Sequence, residues 1–160
     1  MQFSFRQPIE VGVEQALSAL ADEAYYAGLE DLGPLGSPSV VSVERGASTV
    51  VAVRWRFEAD LPSAARAALD PDRLTWVIRT TFTGPTATFE VLPDHYADLL
   101  RCSGQLSFSP QATGCVQEVS GELKVRFPLV GGKVERVIAQ GLEEHVAAES
   151  KAIARFTAGR

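Results

Sequence analysis

The sequence predicts an α+β fold in which a curved antiparallel sheet of about seven strands packs against a long C-terminal helix. Three features predict this fold. Segments of alternating apolar and polar residues recur through the first 127 residues, turn-forming residues separate them, and an amphipathic stretch runs from Gly131 to about Thr157. One-sided alternation is typical of an antiparallel sheet with one face in water. The opposite face needs a cover, and only the C-terminal stretch is long enough to provide it.

The N-terminal region supplies one strand and two short helical segments. Phe3 and Phe5 alternate with polar neighbours, which indicates a strand with one buried face. Apolar residues then recur at helical spacing, and a segment rich in Gly and Pro follows. The predicted elements are a strand that ends at Pro8, helices over Val13–Leu20 and Asp22–Leu29, and a loop over Gly33–Pro38.

Six further strands follow, each with an apolar inner row. Arg45–Ser48, Thr83–Pro85 and Ser109–Gly114 are predicted to turn the chain. Pro62–Leu69 is predicted to form a short helix, with proline near its first turn. The alternation breaks at Gln117–Glu118, where we expect a β-bulge or a register adjustment. The predicted inner rows, in chain order, are Val41 and Val43; Val51, Val53, Trp55 and Phe57; Leu74, Trp76, Ile78, Thr80 and Phe82; Ala87, Phe89 and Val91; Leu100, Cys102, Gly104, Leu106 and Phe108; and Val119, Gly121, Leu123, Val125 and Phe127.

The C-terminal helix has one apolar face. Successive residues of an α-helix are rotated by about 100° around its axis. This rotation puts the charged side chains, among them Lys133, Arg136 and Lys151, on the opposite side of the helix. At about 1.5 Å per residue the helix is about 40 Å long, enough to cross a seven-stranded sheet diagonally. The predicted apolar face consists of Val134, Val137, Ile138, Gly141, Leu142, His145, Ala148, Ala152 and Phe156.

Composition and charge limit the classes of function. A chain of 160 residues predicts a single domain over residues 1–160, long enough to build its own core. It carries 15 Lys and Arg against 20 Asp and Glu, a net charge of −5, and no basic cluster. This charge balance argues against nucleic-acid binding, because neutralisation of the phosphates supplies most of the affinity for nucleic acid. It also argues against electrostatic binding to anionic membrane surfaces. No apolar run approaches the roughly 20 residues of a spanning helix and no signal peptide is visible, so we expect a cytoplasmic protein without membrane insertion.

The two cysteines, Cys102 and Cys115, fit neither a metal-binding nor a redox spacing. On adjacent strands of one hairpin they would lie about 20 Å apart, at about 3.3 Å per residue. A disulfide needs Cα atoms within about 7 Å. We therefore expect two free and mostly buried thiols.

A resemblance to a known superfamily rests on Gly114, Gly121–Val125 and Pro128–Glu135 together with the order of the elements. The chain resembles the START-like helix-grip (SRPBCC) superfamily, and within it an uncharacterised actinobacterial-type family. The resemblance covers essentially the whole chain. It implies a cavity between the sheet and the long helix, open near one end. It carries over no catalytic residue, because the superfamily includes binding proteins and enzymes alike. We expect no cofactor.

The candidate ligand-binding residues combine large side chains from the sheet with small or polar ones from the helix. Large side chains on the sheet and small ones on the helix are compatible either with close packing or with a gap between the two. At least half of the inner aromatic residues are expected to belong to the core proper. The candidates are Trp55, Phe57, Trp76, Phe89, Leu106, Gly141, His145 and Ala148.

His145 lies near the centre of the apolar helix face, and two roles are open for it. It is either a polar group that orients a ligand or transfers a proton, or a core histidine satisfied by one neighbour. Glu149 follows one turn later, and the two form either a tuned pair or an ordinary surface i,i+4 pair. Gly141 costs about 1 kcal/mol against alanine in a helix interior. Close approach to the sheet, room for a ligand or tolerated strain would each account for it.

Several weaker candidates remain. His95 and Tyr96 fall in a predicted loop, either at a cavity entrance or in solvent. Gly131–Lys133 lacks the spacing of a phosphate loop and predicts a flexible helix entry. Thr80 and Cys102 are predicted to face inward, where a buried hydroxyl usually bonds to local backbone. The sequence predicts neither a serine-nucleophile motif nor a metal site.

Three hypotheses about function follow. The first is a binding or carrier protein for a small hydrophobic molecule such as a lipid, an isoprenoid or a polyketide-like compound. The second is a cyclase- or dehydratase-type enzyme that uses His145, with Thr80 and Tyr96 as weaker seconds. The third is an interaction module with a filled core. Cavity volume and the number of polar groups around the cavity discriminate among the three.

Overall fold

The computed structural model describes residues 1–29 and 32–160. This part of the chain forms seven strands and four α-helices. They are β1 (Gln2–Ile9), α1 (Val13–Leu20), α2 (Glu23–Ala27), β2 (Leu35–Arg45), β3 (Thr49–Phe57), α3 (Ser63–Arg66), β4 (Thr75–Thr83), β5 (Thr86–Pro93), β6 (Leu100–Gln111), β7 (Gly114–Val125) and α4 (Gly131–Ala158).

All seven strands belong to one antiparallel sheet with the order β1-β7-β6-β5-β4-β3-β2, so that β1 and β2 are its edges. The long helix α4 contacts β1 and β7 at one side and β2 at the other. One helix can reach both edges because the sheet curls around it. The predicted architecture of a curved seven-stranded sheet with a long C-terminal helix is therefore confirmed.

Helix α4 begins at Gly131, as predicted, and ends at Ala158, one residue beyond the predicted end. Its buried face is wider than the apolar stripe in the sequence. It contains five residues that the pattern did not predict to be buried, because the curled sheet and α1 cover a broad arc of the helix. The additional buried residues are Glu135, Val146, Glu149, Ser150 and Ile153.

The edge strands depart from the prediction at three points. β1 does not end at Pro8 but continues to Ile9, since an edge strand tolerates a residue that lacks a backbone N–H. β2 begins at Leu35, inside the predicted loop, and its register shifts before and after Val40. The second shift leaves Val41 exposed, although its alternation with Val43 had predicted an inner position.

The hairpin between β6 and β7 is tighter and more regular than predicted. β6 extends to Gln111 and β7 starts at Gly114, so the turn is shorter than the predicted Ser109–Gly114. No register shift occurs at Gln117–Glu118, because the ladder runs without interruption from Gln111–Gly114 to Leu100–Val125. The apparent break in the pattern is a buried polar residue: Gln117 faces inward in the same row as Val119.

A pair of glycines lets aromatic rings lie flat on the inner face of the sheet. Gly104 of β6 is paired with Gly121 of β7. A Cβ atom on Gly104 would lie 2.8 Å from the ring of Phe89, and one on Gly121 would lie 2.8 Å from the ring of Phe3. Side chains at these two positions would push both rings away from the sheet.

The start of α4 is attached to the end of β7 by a buried carboxylate. Oε2 of Glu135 accepts a hydrogen bond of 3.0 Å from the backbone N–H of Val125. This bond favours the ionised form and holds the pKa of the Glu135 carboxyl below its usual value. A carboxyl whose folded pKa is depressed stabilises the fold above its unfolded pKa, and this stabilisation is lost as the pH falls through the folded pKa.

Replacing Glu135 with glutamine is expected to lower the free energy of unfolding at pH 7 by about 1 kcal/mol. The variant keeps a neutral acceptor but loses the stronger hydrogen bond to a charged oxygen. The difference from wild type should shrink as the pH falls through the depressed pKa of Glu135, because the wild-type carboxyl is then protonated as well. Urea denaturation at several pH values measures it, with Glu143→Gln on the exposed face of α4 as the matched control. A pH-independent difference would contradict the role of the charge.

Candidate functional site

Within residues 1–29 and 32–160, two cavities lie between the sheet and the helices. The larger, called the main cavity below, has a volume of about 100 Å³. Five inner strand rows, β1, α1, α2 and the middle of α4 contribute to its wall, which is mostly apolar. The lining residues are Phe3, Phe5, Leu20, Tyr26, Val51, Val53, Trp55, Ile78, Thr80, Phe82, Phe89, Leu106, Gln117, Val119, Leu142, His145, Val146 and Glu149.

Three of the polar side chains on this wall belong to β7 and α4. Gln117 is 2% exposed, His145 6% and Glu149 8%. Nε2 of His145 lies 3.5 Å from Oε2 of Glu149. Within the described part of the chain, Oε1 of Gln117 and Nδ1 of His145 have no hydrogen-bond partner. Buried polar atoms are rarely left without a partner, so these two are unusual for side chains that line an apolar cavity.

The local structure explains why these side chains meet. Val119 faces inward on β7, and the period of two along a strand places Gln117 on the same face. His145 and Glu149 are separated by one helical turn and therefore project from the same side of α4. The rings of His145 and Trp55 of β3 pack edge to face, with centroids 4.7 Å apart. That contact fixes the position of the imidazole.

Helix α2 contributes two tyrosines to this region. Tyr26 lines the main cavity, and its hydroxyl donates a 2.7 Å hydrogen bond to the carbonyl of Leu20. Burial, followed by the nearby charge of Glu149, raises the pKa of Tyr25 and Tyr26 far above the usual value of a tyrosine. Both phenols therefore stay protonated. The Tyr25 hydroxyl has no hydrogen-bond partner within the described residues.

The second cavity has a volume of about 60 Å³ and lies near the start of α4. Phe57 and Trp76 line it, with ring centroids 5.4 Å apart. The loop between β5 and β6 closes it through His95, which is exposed, and Tyr96, whose backbone adopts a positive φ of 57°. The Tyr96 hydroxyl accepts a 3.1 Å hydrogen bond from the N–H of Asp70. The two loop residues therefore both border a cavity and touch solvent.

The structure divides the eight candidate residues into three groups. Trp55, Phe89, Leu106 and His145 come together around the main cavity, whereas Phe57 and Trp76 line the second cavity. Gly141 and Ala148 line neither cavity.

Gly141 is explained by close packing. A Cβ atom at this position would lie 3.2 Å from the ring of Pro34 and 3.5 Å from the ring of Phe57. Of the two weaker candidates, Thr80 lines the main cavity and Cys102 lines neither. Cys102 and Cys115 are both free and buried, as predicted.

Sequence reasoning missed one member of the polar group and left the burial of another open. The break in alternation at Gln117 predicts a strand irregularity, whereas continuing the inner row of Val119, Gly121 and Leu123 by two residues places Gln117 inside. For Glu149 the sequence left two alternatives open, a tuned pair with His145 and a surface pair. The structure shows a buried side chain that lines the main cavity.

The chemistry available at the main cavity is that of an imidazole beside a carboxylate in apolar surroundings. This pair can hold or transfer a proton and can accept hydrogen bonds. Burial raises the pKa of Cys102 to about 12, which leaves its thiol protonated and unreactive. Among residues 1–29 and 32–160, no three His, Cys, Asp or Glu side chains converge in a way that could hold a metal ion. None of the described helices combines the length and apolar character needed to cross a bilayer.

A known protein family matches most of the chain. The family described as "Protein of unknown function (DUF2505)" matches residues 4–156. The chain belongs to this family. No curated protein sequence matches this DUF2505 chain.

Solved structures show the same fold at low sequence identity. A START superfamily protein from Mycobacterium smegmatis is 15% identical, with a TM-score of 0.60 over 97% of this chain and 98% of that one. The ZhuI aromatase/cyclase from Streptomyces sp. R1128 is 12% identical, with a TM-score of 0.62 over 98% and 93%. Norcoclaurine synthase from Thalictrum flavum is 16% identical, with a TM-score of 0.62 over 100% and 87%. The DUF2505 chain therefore has the START-like helix-grip fold that its sequence predicted.

Proposed function

We propose that this protein binds a small, largely apolar molecule in the main cavity. The observation that carries the proposal is the cavity itself: an apolar space of about 100 Å³ between the sheet and α4, lined by the aromatic rings of Trp55 and Phe89. Small-molecule sites have this character, with a mostly apolar wall and a few polar groups. Burial of a ligand there would contribute about 25 cal/mol per Å² of apolar surface before the costs of binding.

The volume limits the size of the molecule. An engineered protein cavity of about 150 Å³ binds benzene, and the main cavity is somewhat smaller at about 100 Å³. A ligand of about one ring fits with small side-chain adjustments. A lipid, an isoprenoid or a polyketide-like compound would need the lining side chains to move apart. The proposed ligand is therefore smaller than the lipid, isoprenoid or polyketide-like compound expected from the sequence.

Native mass spectrometry of the purified protein, followed by denaturing extraction, tests the proposal. We expect a bound apolar molecule, or stabilisation of the unliganded protein by a panel of one-ring compounds. A ligand at ten times its Kd stabilises the fold by about 1.4 kcal/mol, which raises Tm by about 3–6 °C for a chain of this size. An unliganded mass combined with no shift in Tm across the panel would favour the interaction module with a filled core.

An enzyme of the cyclase or dehydratase type is the second candidate, because several polar groups surround the main cavity. His145, Glu149 and Thr80 all line it, and an acid or base must lie within reach of the reacting atoms. Solved structures with this fold include proteins named as an aromatase/cyclase and a synthase. Incubating the extracted molecule with fresh protein and with His145→Gln tests this candidate. Conversion by wild type alone would support it, and an unchanged molecule in both samples would leave the binding function.

A further inference from the structure

We infer that the ligand of the main cavity donates a hydrogen bond through an O–H or N–H group, received by Gln117 and His145. The inference rests on the proposed function and adds to it the polar chemistry of the ligand. It starts from the two orphaned atoms on the cavity wall, Oε1 of Gln117 and Nδ1 of His145. Both side chains are more than nine-tenths buried.

Both atoms are acceptors. An amide oxygen only accepts hydrogen bonds. For His145, the carboxylate of Glu149 lies 3.5 Å from Nε2, and a carboxylate also only accepts. In the neutral form of the ring, a proton at Nε2 faces this carboxylate and a lone pair is left at Nδ1. These two unpaired acceptors therefore match a ligand that carries an O–H or N–H group.

Neighbouring groups do not supply these hydrogens. Tyr26 lines the same cavity, and its hydroxyl already donates to the carbonyl of Leu20. The carboxylate of Glu149 adds negative charge to the wall and disfavours an anionic ligand. The matching ligand is a molecule of about one ring with a hydroxyl or amino group, and it is not a carboxylate.

The test uses four probes of nearly equal shape: toluene, phenol, aniline and benzoate. Their Kd values are measured by NMR titration at pH 7.5, where phenol and aniline are neutral. Wild type should bind phenol or aniline about tenfold more tightly than toluene, because each donor satisfies an otherwise unpaired acceptor. The stronger of the two distinguishes a hydroxyl from an amino ligand. Benzoate should bind more weakly than toluene.

A pair of matched variants tests whether Gln117 causes the preference for ligands that donate a hydrogen bond. Gln117→Met keeps the length of the side chain and removes one of the two acceptors, so the preference for phenol and aniline over toluene should fall at least threefold. Gln105→Met makes the same change on the exposed face of β6 and should keep the wild-type preference.

The outcomes separate this inference from the proposed function. Equal binding of toluene, phenol and aniline to wild type would overturn the inference and leave apolar binding intact. An undiminished preference in a folded Gln117→Met would also overturn it. Failure of all four probes to bind would overturn both. The wild-type comparison alone decides the matter if Gln117→Met does not fold.

Discussion

Replacing Trp55 with alanine is expected to lower the free energy of unfolding by about 3–5 kcal/mol. The side chain is 3% exposed and lies at the centre of the inner face. Its ring contacts His145 at 4.7 Å and Tyr26 at 6.3 Å between centroids, so it joins β3 to α4 and α2. Removing the indole would both expose apolar surface and enlarge the main cavity.

Urea denaturation followed by circular dichroism measures the change. Val41→Ala is the control, because this valine lies on β2 and is exposed, and its truncation should change stability by less than about 0.5 kcal/mol. A loss below about 1 kcal/mol for Trp55→Ala would mean that the indole is not part of the packed interior.

Replacing Leu106 with tryptophan is expected to weaken the binding of toluene at least tenfold. Leu106 is half-buried on β6 and lines the main cavity, so a larger ring would occupy the space that the ligand needs. The fold should survive, because the added atoms enter existing free volume, with a change in stability of at most about 1–3 kcal/mol from overpacking.

Leu92→Trp is the matched control for this prediction. Leu92 lies on the neighbouring strand β5 but is exposed on the outer face of the sheet. Its replacement should leave the Kd for toluene unchanged. If Leu106→Trp bound toluene as tightly as wild type, the ligand would have to occupy another part of the protein.

The sequence predicted the fold well because the fold depends on periodicity. Alternation along the strands and the apolar stripe from Val134 to Phe156 identified seven strands and the covering helix. These patterns follow from side-chain direction, which is fixed by local geometry. The errors fell where tertiary context overrides a local signal, as at Pro8, where an edge position tolerates proline within a strand.

The candidate site was less predictable, and Gln117 shows why. A polar residue in an inner row resembles a register error when only the sequence is considered, and only the continuous pairing of β6 with β7 places it inside. Glu149 illustrates the converse case. Its i,i+4 spacing from His145 is common on helix surfaces, and its burial depends on the curl of the sheet.

The volume of the cavities could not be predicted from the sequence. Of the predicted ligand-binding residues, Phe57 and Trp76 line a separate cavity, and Gly141 packs against Pro34 and Phe57. Which aromatic side chains fill space and which border it depends on rotamers and on sheet curvature, because protein interiors are close-packed. The same residue types therefore produce core at one position and cavity wall at the next.

The most direct test of the central claim is a titration with toluene, followed through the side-chain methyl groups by NMR. We expect saturable shifts at Val51, Val119 and Val146, which line the main cavity, and none at Leu74 or Ile138, which line the second cavity. Intermolecular NOEs from toluene to the first group would place the ligand between the sheet and α4. The absence of saturable shifts, or shifts confined to the second group, would contradict ligand binding in the main cavity.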